Sequence, residues 1–113
     1  MSKNKKIVNA LPPMIKQRLE TLGKNIEIAR KRRGFSQEYL SRLAMVNRNT
    51  IRRLEKGDPG VSMALVATVL WVLQLDENMD NLAHPDQDQV GLSFAKASMK
   101  NRIHMKTEDE HDF

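Results

Sequence analysis

Two helix-start signals eleven residues apart, bracketed by the helix-stopping glycines Gly34 and Gly57, constrain this chain more than any other feature of its sequence. Ser36 follows Gly34 and heads Gln37-Glu38, and Asn47 heads a stretch that Gly57 closes. A serine or asparagine side-chain oxygen accepts a backbone N–H left free in a first helical turn, and glycine takes the left-handed conformation at which helices stop. The spacing predicts one short helix from Ser36 to near Ala44, with Leu40, Leu43 and Ala44 on its buried side. A second runs from Asn47 through Lys56, with Ile51 and Leu54 inward. Helices this short are not stable alone in water and must pack across a longer element. That element lies just upstream. Pro12-Pro13 suits a first helical turn, and Ile15, Leu19, Leu22, Ile26 and Ala29 form an apolar stripe on a helix running to about Arg33 and stopped by Gly34.

The rest of the chain agrees with packed helices. Aromatic residues are 4% of 113, and glycine and proline number only 5 and 4, too few for a turn-rich barrel or sandwich. Asp58-Pro59-Gly60 reads as a turn and Ser62 as the cap of a helix from Met63 to about Leu73. Between Val61 and Leu75, 12 of 15 residues are apolar, too short a run for a membrane span and more than one buried face needs, so a partner surface is implied. Asp76-Glu77 opens another short helix to about Ala83, stopped by His84-Pro85. Val90, Leu92, Phe94 and Ala97 suggest a weak amphipathic segment, and Lys106 to Phe113 reads as an acidic tail without periodicity. The fold expected is all-α: about five helices in a compact bundle over residues 13–84, a flexible basic arm over 1–12 and a weakly helical to disordered acidic extension over 85–113. No internal repeat is visible.

Charge divides the chain in two. Residues 1–57 hold 15 lysines and arginines against 4 acidic residues, a net +11, whereas residues 58–113 hold 4 against 10, a net −6. A helical half with that excess of cations calls for an anionic partner or a solvated surface, and nucleic acid is the commonest such partner. The run Arg30-Lys31-Arg32-Arg33 fits the negative end of a helix dipole equally well as contact with phosphate. With no cysteine there is no disulfide framework and no thiolate nucleophile or zinc site. The opening residues lack the apolar run of a secretory signal, so a cytoplasmic, nucleoid-associated protein without membrane attachment is expected.

Two short helices at this spacing specify a helix-turn-helix, which reads DNA by laying its second helix in the major groove. That helix carries Asn47, Arg48, Asn49, Arg52 and Arg53. Arginine can bond guanine O6 and N7 together, and asparagine can do the same at adenine N6 and N7, so these five are the candidate base contacts. Arg33, Ser36, Gln37 and Lys56 flank them as candidate phosphate contacts. The competing reading makes the three arginines a solvated face, with Arg52 paired to Glu55.

The stretch Leu22-Gly23-Lys24, Ile26, Ala29 to Glu38, Leu40, Ala44, Val46 to Ile51 and Arg53 to Gly57 resembles the XRE/Cro helix-turn-helix family, which includes the lambdoid phage repressors. The resemblance spans about residues 20–75 and implies a DNA-binding domain of the lambda-repressor type. Gln37 falls on the family position that meets DNA at the start of the first short helix. Arg48, Asn49 and Arg53 fall on base-reading positions and Lys56 on a phosphate contact. Family members usually have alanine at the position of Ser41 and glycine at that of Met45. The glycine is commonly left-handed, a conformation that costs other residues roughly 1 kcal/mol, so Met45 is either strained or the turn is built differently. Glu55 to Ser62, Val69 to Leu75, His84-Pro85-Asp86 and Asp88 to Gly91 further resemble HipB-like antitoxins, which accompany HipA-type kinase toxins. That resemblance implies a homodimeric repressor of its own promoter that also holds a kinase toxin.

A dimer also follows from physics, since two recognition helices on half-sites one turn apart combine affinities that each lacks alone. Trp71, Leu73 and Leu75 are the candidate anchors of that interface. No enzyme is expected, because no nucleophile and base stand at a telling spacing. No cofactor or metal is expected either: His104 and His111 among Glu108, Asp109, Glu110 and Asp112 read better as a solvated tail. The alternative class is a protein-interaction module that holds a partner through its C-terminal half, with DNA binding secondary.

Overall fold

The computed structural model describes residues 10–111, with side chains described through residue 103. The expected basic arm therefore lies largely outside the described residues, as do the side chains of His104, His111 and their acidic neighbours. The described residues contain five α-helices: α1 (Pro13–Arg32), α2 (Gln37–Leu43), α3 (Arg48–Glu55), α4 (Met63–Val72) and α5 (Gln89–His111). Short 3₁₀ turns cover Asp76–Asn81 and Pro85–Gln87. The fold is all-α, as the sequence predicts. Among the described residues no helix is long and apolar enough to cross a membrane.

The helix ends are chemically uniform. Ser36, Asn47 and Ser62 each accept the backbone N–H three residues on, from Tyr39 at 3.0 Å, Thr50 at 2.8 Å and Leu65 at 3.0 Å. The first four helices all stop with paired backbone bonds around one left-handed residue, here Gly34, Met45, Gly57 or Gln74. After α2, for example, Val46 N–H donates to Ser41 O at 2.9 Å and Met45 N–H to Arg42 O at 3.2 Å. Met45, with φ of 59°, thus takes the left-handed geometry expected of a glycine at this turn, and its side chain is 91% exposed. Gln74 does the same after α4 with φ of 62°.

The chain divides into two units, Met1–Met79 and Asp80–Phe113. In the first, α3 packs on α2 and α1, and α4 packs on α2. Ile26 and Ala29, Leu40 and Ala44, Ile51 and Leu54, and Leu65, Val69, Leu70 and Leu73 form one buried core. Gly23 and Gly57 permit close approach of backbones. A Cβ on Gly23 would lie 2.5 Å from Glu55 O, and one on Gly57 would lie 2.6 Å from Glu20 Cα. Two expectations about burial are corrected. Ile15 and Leu22 of the α1 stripe remain 40% and 37% exposed, because the close packing on α1 that buries side chains begins only at Gly23 and continues through Ile26, Ala29 and Arg30. Leu43 is 41% exposed, and the buried place beside Leu40 goes to Ser41, whose hydroxyl donates to Glu38 O at 2.6 Å.

In the second unit, Asp88 starts α5 by accepting Gly91 N–H at 2.9 Å. Where the sequence offers only weak periodicity, the backbone stays helical to His111. The good helix formers between Ala95 and Lys100 account for this, since they need no buried face to favour helix.

Candidate nucleic-acid interface

α3 has two distinct sides. Ile51, Leu54 and Glu55 are buried, while Arg48, Asn49, Arg52 and Arg53 are exposed. At about 100° per residue these four share one outward arc of roughly 140°. The expected base-contact residues of α3 are therefore brought onto one face, with Arg48 and Arg53 at its two edges. Asn47 stands apart from them. Its Oδ1 accepts both the N–H of Thr50 at 2.8 Å and the Thr50 hydroxyl at 2.9 Å, so the oxygen is occupied in capping α3 and only its amide N–H groups remain for a partner.

The inner edge of α3 is fixed by a buried ionic network that the sequence reading missed. Arg30 donates from Nε to Glu55 Oε2 at 2.6 Å, from Nη2 to Glu55 Oε1 at 3.0 Å and from Nη1 to Phe35 O at 2.8 Å. Gln37 Nε2 adds a fourth bond, to Glu55 Oε1 at 3.0 Å. Four bonds thus tie the end of α1, the start of α2 and the end of α3 together. The hydrogen bonds to Glu55 raise the Arg30 pKa despite its burial, so the guanidinium is permanently charged. Two expectations change with this. Glu55 is not a surface partner for Arg52, and Arg30 is not a phosphate contact. A signal was available: Arg30 follows Ile26 by four residues and Glu55 follows Ile51 by four, which puts opposite charges on two buried stripes.

The remaining cations are partly committed. Lys31 and Lys24 flank Glu27 at 3.0 and 3.2 Å, lowering the Glu27 pKa, chiefly through the Lys31 hydrogen bond. Arg33 donates from Nη1 to Ala29 O at 2.8 Å, closing α1, and is otherwise exposed. Ser36 spends its oxygen on the cap of α2 and Gln37 its amide on Glu55, so of the four expected phosphate contacts Lys56 is the one whose side chain is exposed and for which no hydrogen bond is described. Arg53 donates from Nε to Asp58 Oδ2 at 2.7 Å, and Asp58 Oδ1 accepts Gly60 N–H at 2.7 Å. These bonds, first Arg53 and then Gly60, hold the Asp58 pKa below the usual carboxylate range.

The expected dimer anchors separate. Leu73 has no exposed surface and belongs to the core, and Leu75 is half-buried against it. A side chain already fully packed cannot anchor a second chain without emptying the core. Trp71 is 64% exposed and borders a shallow groove of about 500 Å³ with Leu43, Val72, Gln74 and Asp76. Among the described residues no group of histidines and carboxylates could hold a metal ion.

A capped α2, a tight left-handed turn and an α3 with one locked and one cationic face define the helix-turn-helix class. Residues 26–75 match the family described as Helix-turn-helix, and this segment is a DNA-binding helix-turn-helix domain of the XRE type. The matched span runs from the middle of α1 to just past α4. No curated protein and no solved structure matches the chain.

Proposed function

We propose that this protein is a sequence-specific DNA-binding repressor that acts as a homodimer on a palindromic operator in its own promoter. The observation that carries this reading is the outward arc of Arg48, Asn49, Arg52 and Arg53 on a helix whose opposite side is held by buried bonds. A rigid helix with donors near its N-terminus can present guanidinium and amide groups to base edges in the major groove. Lys56 and Arg33 take the flanking phosphates, and at the start of α2, where the side chains of Ser36 and Gln37 are already bonded, the contribution comes from the backbone N–H groups of the first turn. Binding is then steeply salt-dependent, and Arg48→Ala or Arg53→Ala weakens discrimination by about 1–3 kcal/mol per lost base contact. Selection from randomised duplex DNA, followed by titration at several salt concentrations, tests it. Equal affinity for every sequence, or indifference to salt, overturns it.

The dimer contact is proposed at Trp71, with Leu43 and Val72 beside it in the groove, and not at Leu73. An exposed tryptophan beside apolar neighbours is the type of residue that anchors interfaces. Sedimentation of the native chain and of Trp71→Ala decides this, the variant dissociating at lower concentration. An antitoxin role, with a HipA-like kinase toxin as partner in the cytoplasm, is proposed from the resemblance of the Glu55 to Ser62 loop and the segments after it.

A second reading, a partner-holding module in which DNA binding is secondary, is favoured by α5. Its Val90 and Phe94, four residues apart on one side of the helix, are 68% and 71% exposed, an apolar pair that water disfavours. Deleting residues 84–113 separates the readings: the repressor keeps its operator affinity, whereas the module loses its partner.

A further inference from the structure

The ion pair at the edge of the outward arc has no role in holding the core together. Arg53 is 44% exposed and Asp58 32%, so water already screens them and their bond stabilises the fold little. Yet the bond is well made and both sides are positioned. Asp58 is fixed by the turn it forms with Gly60, and Arg53 by the helix that carries it. The Asp58 carboxylate takes the Nε side of the guanidinium. Gly60 lies against the Nη2 side, where a Cβ would come within 3.2 Å of Nη2 and 3.1 Å of Asp58 Oδ1.

We propose that Asp58 is a specificity-determining positioning residue, which holds the Arg53 guanidinium by Nε so that its two Nη groups are presented together to a guanine in the major groove. The inference rests on the DNA-reading role of α3 proposed above. Two physical arguments favour a base over a phosphate as the target. An unrestrained arginine loses rotamer freedom when it binds a base edge, and a guanidinium already held at Nε has given up most of that freedom in advance. A carboxylate 2.7 Å from Nε also repels an approaching phosphate, while the neutral O6 and N7 acceptors of guanine feel that charge far less. Gly60 leaves the guanidinium room to lie flat beside the loop.

The test uses the full chain. Preferred sites are selected from randomised duplex DNA, and each half-site position is then changed singly in competition binding at fixed salt. The proteins compared are wild type, Arg53→Ala, Asp58→Ala and Asp58→Asn, the last keeping an oxygen for Gly60 N–H. The wild type is expected to show one guanine position, preferred by about tenfold or more, that Arg53→Ala loses. Both Asp58 variants are expected to reduce preference there to about threefold or less, leave the other positions unchanged, and bind random duplex as well as or better than wild type. Full guanine preference in both Asp58 variants overturns the inference while leaving the repressor reading intact. So does equal weakening at every position together with a lower Tm, the mark of a merely structural role. If Arg53→Ala loses no position, the base-reading role of Arg53 falls and this inference with it. A wild type with no preferred site overturns both the inference and the repressor reading.

Discussion

Replacing Glu55 by alanine tests how the recognition helix is held. The substitution removes the acceptor for Arg30 Nε, Arg30 Nη2 and Gln37 Nε2, at 2.6, 3.0 and 3.0 Å. Arg30 keeps only its bond to Phe35 O, in a place where the two partners' side chains are 8% and 1% exposed. Taking one partner from a buried ion pair costs about 3–5 kcal/mol, because the charge left behind has neither water nor a counterion. The lower half of that range is expected here, since Arg30 lies at a helix end where water can reach it after a small movement. For a domain of this size that is a fall in Tm of about 12–30 °C. The informative control is Arg30→Met combined with Glu55→Leu, which removes both charges and keeps the volume filled. That double variant is expected within about 1–2 kcal/mol of wild type, so the single changes couple strongly. Urea unfolding followed by circular dichroism measures Glu55→Ala and the four corners of the cycle, which are wild type, Arg30→Met, Glu55→Leu and the double variant. A loss under about 1 kcal/mol for Glu55→Ala, or a double variant no better than the single ones, refutes the reasoning, for it means that the pair is solvated or that packing alone holds α3.

Three further outcomes follow from the backbone and the surface. Gly57→Ala and Gly23→Ala are expected to destabilise by more than about 2 kcal/mol, since the new methyl would lie 2.6 Å from Glu20 Cα in one and 2.5 Å from Glu55 O in the other, and thermal unfolding reads both. Met45→Gly acts in the opposite direction: the left-handed strain is relieved and only a 91%-exposed side chain is lost, so Tm rises by an amount equivalent to about 1 kcal/mol or less, and an unchanged or lower Tm counts against strain at this turn. The Arg53–Asp58 pair gives an acid-side dependence: because the folded Asp58 pKa lies below its ordinary value, the contribution is complete above about pH 4 and is lost as pH falls through the lower folded value. Carboxyl titration by NMR is expected to place Asp58 below the usual range in the wild type and higher in Arg53→Ala, where the Gly60 N–H bond remains but the larger lowering contribution is gone.

Legibility from sequence tracked how local each cause is. Ser36, Asn47 and Ser62 are readable because a cap needs only its own side chain and the next turn's N–H groups, and Gly34 and Gly57 because a left-handed stop favours glycine. The stop at Gln74 carries no such mark. It is set by Leu70 and Leu75, whose backbones bond across it at 2.7 Å while both side chains pack with the core, so tertiary burial overrides local preference there. The stripe Ile15 to Ala29 was legible as a face, but periodicity says nothing of how much of that face the neighbouring helices are long enough to cover. For the same reason the exposed arginines of α3 could be listed from the sequence, whereas their commitments could not. Asp58 as the partner of Arg53 and Glu55 as the partner of Arg30 depend on chain segments meeting across a turn and across 25 residues.

These commitments alter what the cationic half of the chain can do. In the cluster that closes α1, Arg30 is neutralised in the interior and Lys31 is paired with Glu27. The excess positive charge on the described part of this unit therefore does not act as a uniform basic patch. A uniform patch attracts any phosphate backbone and supplies affinity without sequence preference. Here Arg30 and Lys31 near the end of α1 are paired with carboxylates, while α3 displays Arg48, Arg52 and Arg53 on one side of a helix whose other side carries a buried anion, Glu55. Selective neutralisation of this kind lowers affinity for indifferent DNA more than for a site whose bases meet the arc, and specificity depends on that difference, not on total charge. The buried pair and the surface pair thus act together: Arg30 with Glu55 fixes where α3 lies, and Asp58 fixes how its last arginine points.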